Sequence, residues 1–410
     1  MRTFEENKNL YAEIILSFWV NLQKWQKLII KAPIQSYDFV KILTEKAYEM
    51  GAKEVMYRWK TEELECIRYN KAPEDSFDEF PQWIADGYTK EVLEWAATLS
   101  LYMSDTSLFE NVNAEHFKRL SKAASLANIK YQEAIMSNQT NWVVVAIPME
   151  WWANTLYGNN STDENMEKLW DQIFKLVRLD KEDPIKEWEN HLEMLKQHAA
   201  YLNEKNFKKL HYKSPKTDLT IELPQWHIWM GAEEISKRWV HFHPNLPTEE
   251  VFSMPHKYWV NGVVAATLPL QYQGKLIKNF VLTFKDWEVV DYIAEEWYEV
   301  LKSILEADEN AKRIGEVAIV PITSPVYQSW LIFSNTLFDE NASCHLAFGA
   351  AYPTCLKGAD DMWKEERDST WMNESTIHID FMVGDETLCI TWETQDWEMI
   401  EFFKNGNWNI

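Results

Sequence analysis

Glycine is what this sequence lacks most. It has 11 glycines in 410 residues, against an average of about 7%. Turns and helix ends that need positive φ must therefore be made by other residues. Cysteine is scarce as well. Cys66, Cys344, Cys355 and Cys389 form no CxxC pair and no disulfide framework, so free thiols in a reducing, cytoplasmic compartment are expected. Positive charge is short: 41 Lys and Arg face 64 Asp and Glu, a formal net charge of -23. Nucleic acid and anionic membrane surfaces would be repelled and are excluded as expected partners. No apolar run reaches the roughly 18 to 20 residues of a membrane span. The opening "MRTFEENKNLYAEIILSFWVNLQ" puts acids before its apolar stretch and has no small-residue cleavage site, so no signal peptide is expected. G-x-G-x-x-G, P-loop, G-x-S-x-G and HExxH patterns are absent, which removes the usual nucleotide, serine-hydrolase and short zinc signatures.

What is present is an ordinary globular balance, 46% hydrophobic and 26% charged, with enough chain for two or three domains. The first half alternates strand and helix patterns. "KLIIKAP" reads as a buried strand, "SYDFVKILTEKAYEM" as a helix with Gly51 at its C′ position, and "KEVMYRW" as the next strand. "TKEVLEWAATL" reads as helical, "LSLYMS" as extended, and "NWVVVAIP" as a core strand. Ser161 and Glu164 suggest a capping box, and Asp183–Pro184 an N-cap with proline at N1. Such alternation predicts a mainly parallel sheet with flanking helices. The pattern changes near "HYKSPKTD". After it, "LTIELP", "NGVVAATLPL", "FVLTFKDWEVVDY" and "STIHIDFM" read as strands, and "YQGK" around Gly274 as a turn. The expectation is an α/β domain over 1–210 and a β-rich, metal-binding domain over 211–410.

Four stretches of the second half put acids and histidines in apolar company. They are "NLPTEEVF" with Glu249 and Glu250, "RIGEVAIVP" with Glu316, "FDENASCHLAFGAAYP" with Asp339, Glu340, His345 and Tyr352, and "STIHIDFMVG" with His378 and Asp380. On a strand, His378 and Asp380 share a face. If the third segment is helical, His345 and Tyr352, seven apart, share one too. Each stretch has a plain structural reading: a solvated helix start, a strand-end ion pair, a satisfied core histidine, an imidazole–carboxylate hydrogen bond. Together they are more specific. Buried carboxylates need a compensating positive charge, no basic run lies nearby, and imidazole with carboxylate suits Zn, Co or Mn. Two ions about 3.5 to 4 Å apart take a ligand set of this size.

The same motifs carry a resemblance. "PTEEVF", "GEVAIVP", "LIFSNTLFDENASCHLAFGAAYPTC" and "STIHIDFMVG" closely resemble the thermophilic metallo-aminopeptidase family that includes bacterial aminopeptidases T, S and II. The resemblance runs from "GAKEVMYRW" to "FKNGNWNI". It implies hydrolysis of N-terminal residues from peptides by a water activated at a dinuclear site. The implied ligands are Glu250, Glu316, Glu340, His345, His378 and Asp380, with Glu316 and Asp380 bridging and Glu316 also catalytic. Tyr352 is implied as a catalytic residue. The implied cofactors are two divalent ions, Zn or Co, with Mn and Mg as further options. The implied assembly is a homodimer.

Tryptophan departs from that pattern. Trp25, Trp95, Trp226, Trp259, Trp287, Trp330 and Trp397, among 22 in all, stand where glycine is expected in relatives. In "KDW" the turn loses the residue that best accepts φ > 0, and Trp287 is expected to expose its indole at a hairpin tip. Two other readings stay open: a carbohydrate-active hydrolase with paired carboxylates and stacking tryptophans, and a catalytically impaired structural relative.

Overall fold

The computed structural model describes residues 2–410 apart from 103–107, 110–111, 159–160, 232, 273–274, 360–361, 363–365, 368 and 394–398. The turn expected at Gly274 and the tryptophan at 397 lie outside the described residues. The chain divides by its contacts into two compact units, residues 1–188 with 233–247, and residues 189–232 with 248–410.

The first unit is built on a five-stranded parallel sheet. Its spatial order is Asn245–Leu246, Trp142–Val145, Ala97–Leu101, Lys27–Pro33, Glu54–Lys60. In the strand Lys27–Pro33, Leu28, Ile29 and Ile30 are all buried, as a parallel strand covered on both faces requires. Ile29 packs with Val92, Ala96 and Tyr131. The helix Tyr37–Glu49 ends as expected: Gly51 has φ 89°, and its N–H bonds Tyr48 O at 2.9 Å while Ala52 N–H bonds Ala47 O at 2.9 Å, the Schellman closure. The helix expected through "TKEVLEWAATL" stops earlier, at Leu93, because Ala97–Leu101 is claimed by the sheet. Ser161 precedes the helix Thr162–Leu176 but its side chain makes no cap bond, so no capping box forms. Asp183 does cap Pro184–Lys205: its Oδ1 accepts from Lys186 N–H at 3.0 Å.

The second unit holds two large antiparallel sheets, beside a two-stranded one of Leu270–Tyr272 and Lys275–Ile277. One has eight strands, with Lys209–Lys213 and Asp218–Glu222 at its centre beside Val260–Ala265 and Cys389–Glu393. The other has five, in the order His378–Met382, His345–Gly349, Ile314–Ile319, Val251–Ser253, Met230–Gly231. Every residue of Ile314–Ile319 is buried, which matches a strand apolar on both faces. This five-stranded sheet carries the acids and histidines. The fold class expected from the sequence, a parallel sheet with helices followed by a β-rich part, is the one observed.

Candidate metal centre

Antiparallel register puts the polar residues on one face. Glu316 lies opposite Ala347, and Ala347 lies opposite Asp380. His345 lies opposite Ala318, and His378 lies opposite Gly349. Directly opposed residues project to the same side, so Glu316, His345, His378 and Asp380 share a face across three strands. Small residues, Ala347 and Gly349, sit among them and leave the space open. A bulge between Ile314 and Glu316 adjusts the strand just before the carboxylate. It contains Gly315, where a Cβ would meet Gly349 O and Ala350 O at 2.3 Å. Glu250 arrives from the residue before the strand Val251–Ser253.

The distances are short. His345 Nε2 is 3.1 Å from Glu250 Oε2 and 3.6 Å from Glu316 Oε1. His378 Nε2 is 3.3 Å from Glu316 Oε2 and 3.4 Å from Asp380 Oδ1. Glu250, Glu316, His345 and Asp380 are buried. Two groups of donor atoms result, Glu250–Glu316–His345 and Glu316–His378–Asp380, each with its atoms within 4.8 Å of one another. Glu316 belongs to both.

The orientation of the histidines is fixed from behind. His378 Nδ1 donates to Ala350 O at 2.7 Å, and His345 Nδ1 lies 3.3 Å from Ser343 O. Both rings thereby turn Nε2 towards the carboxylates, the arrangement that a backbone carbonyl imposes on a metal-binding imidazole. Yet Glu250 Oε2, Glu316 Oε2 and Asp380 Oδ1 are buried without an aligned hydrogen bond. Each of these atoms faces an imidazole Nε2 at 3.1–3.4 Å. Three carboxylates and two imidazoles aimed in that way fit divalent cations.

The electrostatics agree. Burial opposes charge on His345 and His378, but the carboxylates around them hold both imidazoles well above the usual range. Burial raises Glu250. Burial would raise Glu316 and Asp380 too, but the adjacent histidines hold both below the usual carboxylate range. Glu340 lies outside both groups of donor atoms; burial, then repulsion from Asp380 and Glu250, pushes its carboxyl well up. Burial and the same four carboxylates keep the Tyr352 phenol protonated, and its ring lies 4.7 Å from that of His378.

Three local expectations change. The segment after Cys344 is not helical: His345–Gly349 is a strand, hydrogen-bonded on both sides, and this pairing overrides the helical spacing of His345 and Tyr352. Tyr352 instead comes from the turn before Pro353–Cys355. Glu249 is no solvated helix start. It is buried and its carboxylate lies 3.2 Å from His191 Nε2, a contact that sequence spacing could not reveal across so long a separation. Asp339 serves the local chain, accepting from Phe333 N–H at 2.8 Å and Asn335 N–H at 3.0 Å. Cys344 beside His345 is inert, its thiol pushed up to about 12 by burial.

Comparison with known proteins decides the family. The description "Thermophilic metalloprotease (M29)" matches residues 4–408. This chain belongs to the M29 family. Among its relatives, Aminopeptidase 2 of Geobacillus stearothermophilus is 42% identical over 408 residues, covering 100% of this chain and 99% of the relative. Aminopeptidase AmpS of Bacillus subtilis is 39% identical and Aminopeptidase T of Thermus thermophilus 38%, each over 100% of both chains. The structure of wild-type AmpT from Thermus thermophilus superposes with a TM-score of 0.93 at 36% identity, over 100% of both chains. The M29 assignment and these relatives make the chain a metallo-aminopeptidase, a hydrolase. They do not favour the carbohydrate-active reading. Among the described residues no helix is long and apolar enough to cross a membrane.

Proposed function

We propose that this M29 chain removes N-terminal residues from peptides at a site for two divalent ions held by Glu250, Glu316, Glu340, His345, His378 and Asp380. One observation carries the proposal: two groups of donor atoms overlap in a single residue, Glu316. A carboxylate common to both groups is what a bridge between adjacent cations requires. Asp380, named with Glu316 as a bridge, belongs to the second group only. Glu340 is included for the electrostatic proximity of its carboxyl.

The ions, when bound, supply the positive charge that acidifies a water and polarises the scissile carbonyl. The chain's own groups do the rest. Ala350 O and Ser343 O hold the imidazole rings in place. The Tyr352 phenol, protonated throughout the neutral range, can donate a hydrogen bond to the oxygen that gains charge as water adds to the carbonyl. Collapse of that adduct breaks the peptide C–N bond, and the leaving nitrogen takes the proton given up by the attacking water as the shortened peptide departs.

Zinc or cobalt as the ions rests on the family resemblance, and the imidazole–carboxylate set is compatible with either. The free thiols of Cys344 and Cys389 support the cytoplasm as the compartment. A homodimer rests on the family resemblance. The test is elemental analysis of protein incubated with Co²⁺ or Zn²⁺ and freed of excess, alongside release of the N-terminal residue from a short peptide. Up to two ions per chain and metal-dependent release are expected. No bound metal after loading would refute the dinuclear site. Bound metal without peptide cleavage would favour the catalytically impaired reading.

A further inference from the structure

Among the described residues, fifteen non-glycine positions have positive φ, and seven are tryptophan: Trp25, Trp95, Trp226, Trp239, Trp287, Trp297 and Trp330. Five others are asparagine, whose short polar side chain tolerates the left-handed region. Tryptophan has no such advantage and bears the full clash of its Cβ there.

The settings are those that call for glycine. The helix Gln82–Leu93 ends with Trp95 N–H on Val92 O at 3.0 Å and Ala96 N–H on Glu91 O at 2.8 Å. That is the same pair of bonds that closes Tyr37–Glu49 around Gly51. The two occupants have φ 91° and 89°. One motif thus appears twice, once with glycine and once with tryptophan at the same place. Trp226 is the third residue of a turn closed by His227 N–H on Pro224 O at 3.1 Å, where positive φ is the type II requirement. Asp286 and Trp287, φ 50° and 76°, form the two-residue turn of a hairpin, where Asp-Gly is the preferred pair. Trp330 follows the short helix Pro325–Gln328 with its N–H on Tyr327 O at 3.1 Å.

Several of these side chains gain little in return. Trp25, Trp226, Trp239 and Trp330 are 58–83% exposed. The Trp95 indole N–H is buried without a hydrogen-bond partner. Other tryptophans are plainly suited to their places. Trp170 is buried among Tyr11, Phe39 and Phe174, and Trp188 is fully buried with its indole N–H on Val177 O at 2.9 Å. The composition carries the same imprint, 22 tryptophans to 11 glycines.

We infer that the seven left-handed tryptophans are glycines in the polypeptide made by its own cell, their codons being UGA decoded by a glycine tRNA. UGA differs from the tryptophan codon UGG in its third base and from the glycine codon GGA in its first. One reassigned codon therefore converts a glycine into a written tryptophan wherever it occurs, and its occurrences fall where only glycine is comfortable. The native chain then has unstrained turns at 226 and 287 and a glycine helix end at 95.

The experiment reads the gene and the native protein together. The coding sequence is determined at the seven positions and at 170 and 188, and tryptic peptides of the protein isolated from its own cells are weighed. TGA is expected at all seven, with each spanning peptide lighter by the mass difference between a tryptophan and a glycine residue. TGG and an unchanged tryptophan mass are expected at 170 and 188. TGG codons at the seven positions overturn the inference, and so do TGA codons whose peptides carry tryptophan mass.

Discussion

At the residue scale, the roles proposed for Glu316 and Tyr352 are separable. Glu316→Gln removes the negative charge common to both donor groups while keeping the side chain's shape. Metal content after loading should fall, and peptidase activity with it; unchanged stoichiometry would refute the bridging role. Tyr352→Phe keeps every carboxylate and imidazole. It should retain its metal and lose turnover by roughly 10²- to 10³-fold, the usual effect of removing one oxyanion donor, and full turnover on an aminoacyl substrate would show the phenol to be a bystander. Tryptophan at positive φ gives a third residue-scale test. Trp239 has φ 62° and is 83% exposed. The left-handed region costs a residue with a Cβ about 1 to 2 kcal/mol, and an exposed indole regains little. Trp239→Gly should therefore stabilise the protein by about 1 kcal/mol, less the unfolded-state entropy of glycine, read as a higher denaturation midpoint. Trp287 is a poorer choice, and the exposed tip expected of it is not found. Its turn has the expected positive φ, but the indole is half-buried against Tyr258 and Trp259, with ring centroids at 5.6 and 6.0 Å.

At the scale of elements, the close approach of the strands His345–Gly349 and His378–Met382 brings the donor atoms together. Gly349 has φ 90°, and a Cβ there would meet Ile377 O at 2.2 Å. That backbone cannot swing aside as a long side chain would. Gly349→Ala should push apart the strands that bear His345 and His378. The expected cost is about 1 to 3 kcal/mol of stability, as for other overpacked sites, together with weaker metal binding. Chemical denaturation and metal titration of the same variant check both; a variant of unchanged stability and affinity would show that the strands tolerate the spacing.

For the molecule as a whole, the proposed metal site predicts that stability depends on cations. A ligand that binds only the folded state stabilises it by an amount set by its concentration relative to Kd, about 2.7 kcal/mol at a hundredfold excess. Chelation should lower the thermal midpoint and abolish peptide cleavage, and adding Co²⁺ or Zn²⁺ back should restore both. If the midpoint is the same with and without chelator, the acids do not wait on a metal. The net charge of -23 favours cation uptake over binding of anionic partners.

The sequence by itself determined much of this protein. Period-2 and period-3.6 patterns fixed the order of parallel sheet, helices and β-rich half, because burial of one face imposes its period on the chain. The spacing of His378 and Asp380 put both on one strand face, and "KDW" marked a turn with positive φ. Only the tertiary structure decided the rest. Whether the segment around His345 is helix or strand was settled by two neighbouring strands far away in sequence, which supply backbone partners that local spacing cannot declare. That His191 lies against Glu249, or that Ala347 and Gly349 leave room for the carboxylates, depends on tertiary packing and register between strands. Glu316 came to be common to both donor groups for the same reason: sequence sets which face a side chain uses, while the pairing of distant strands sets what stands opposite it.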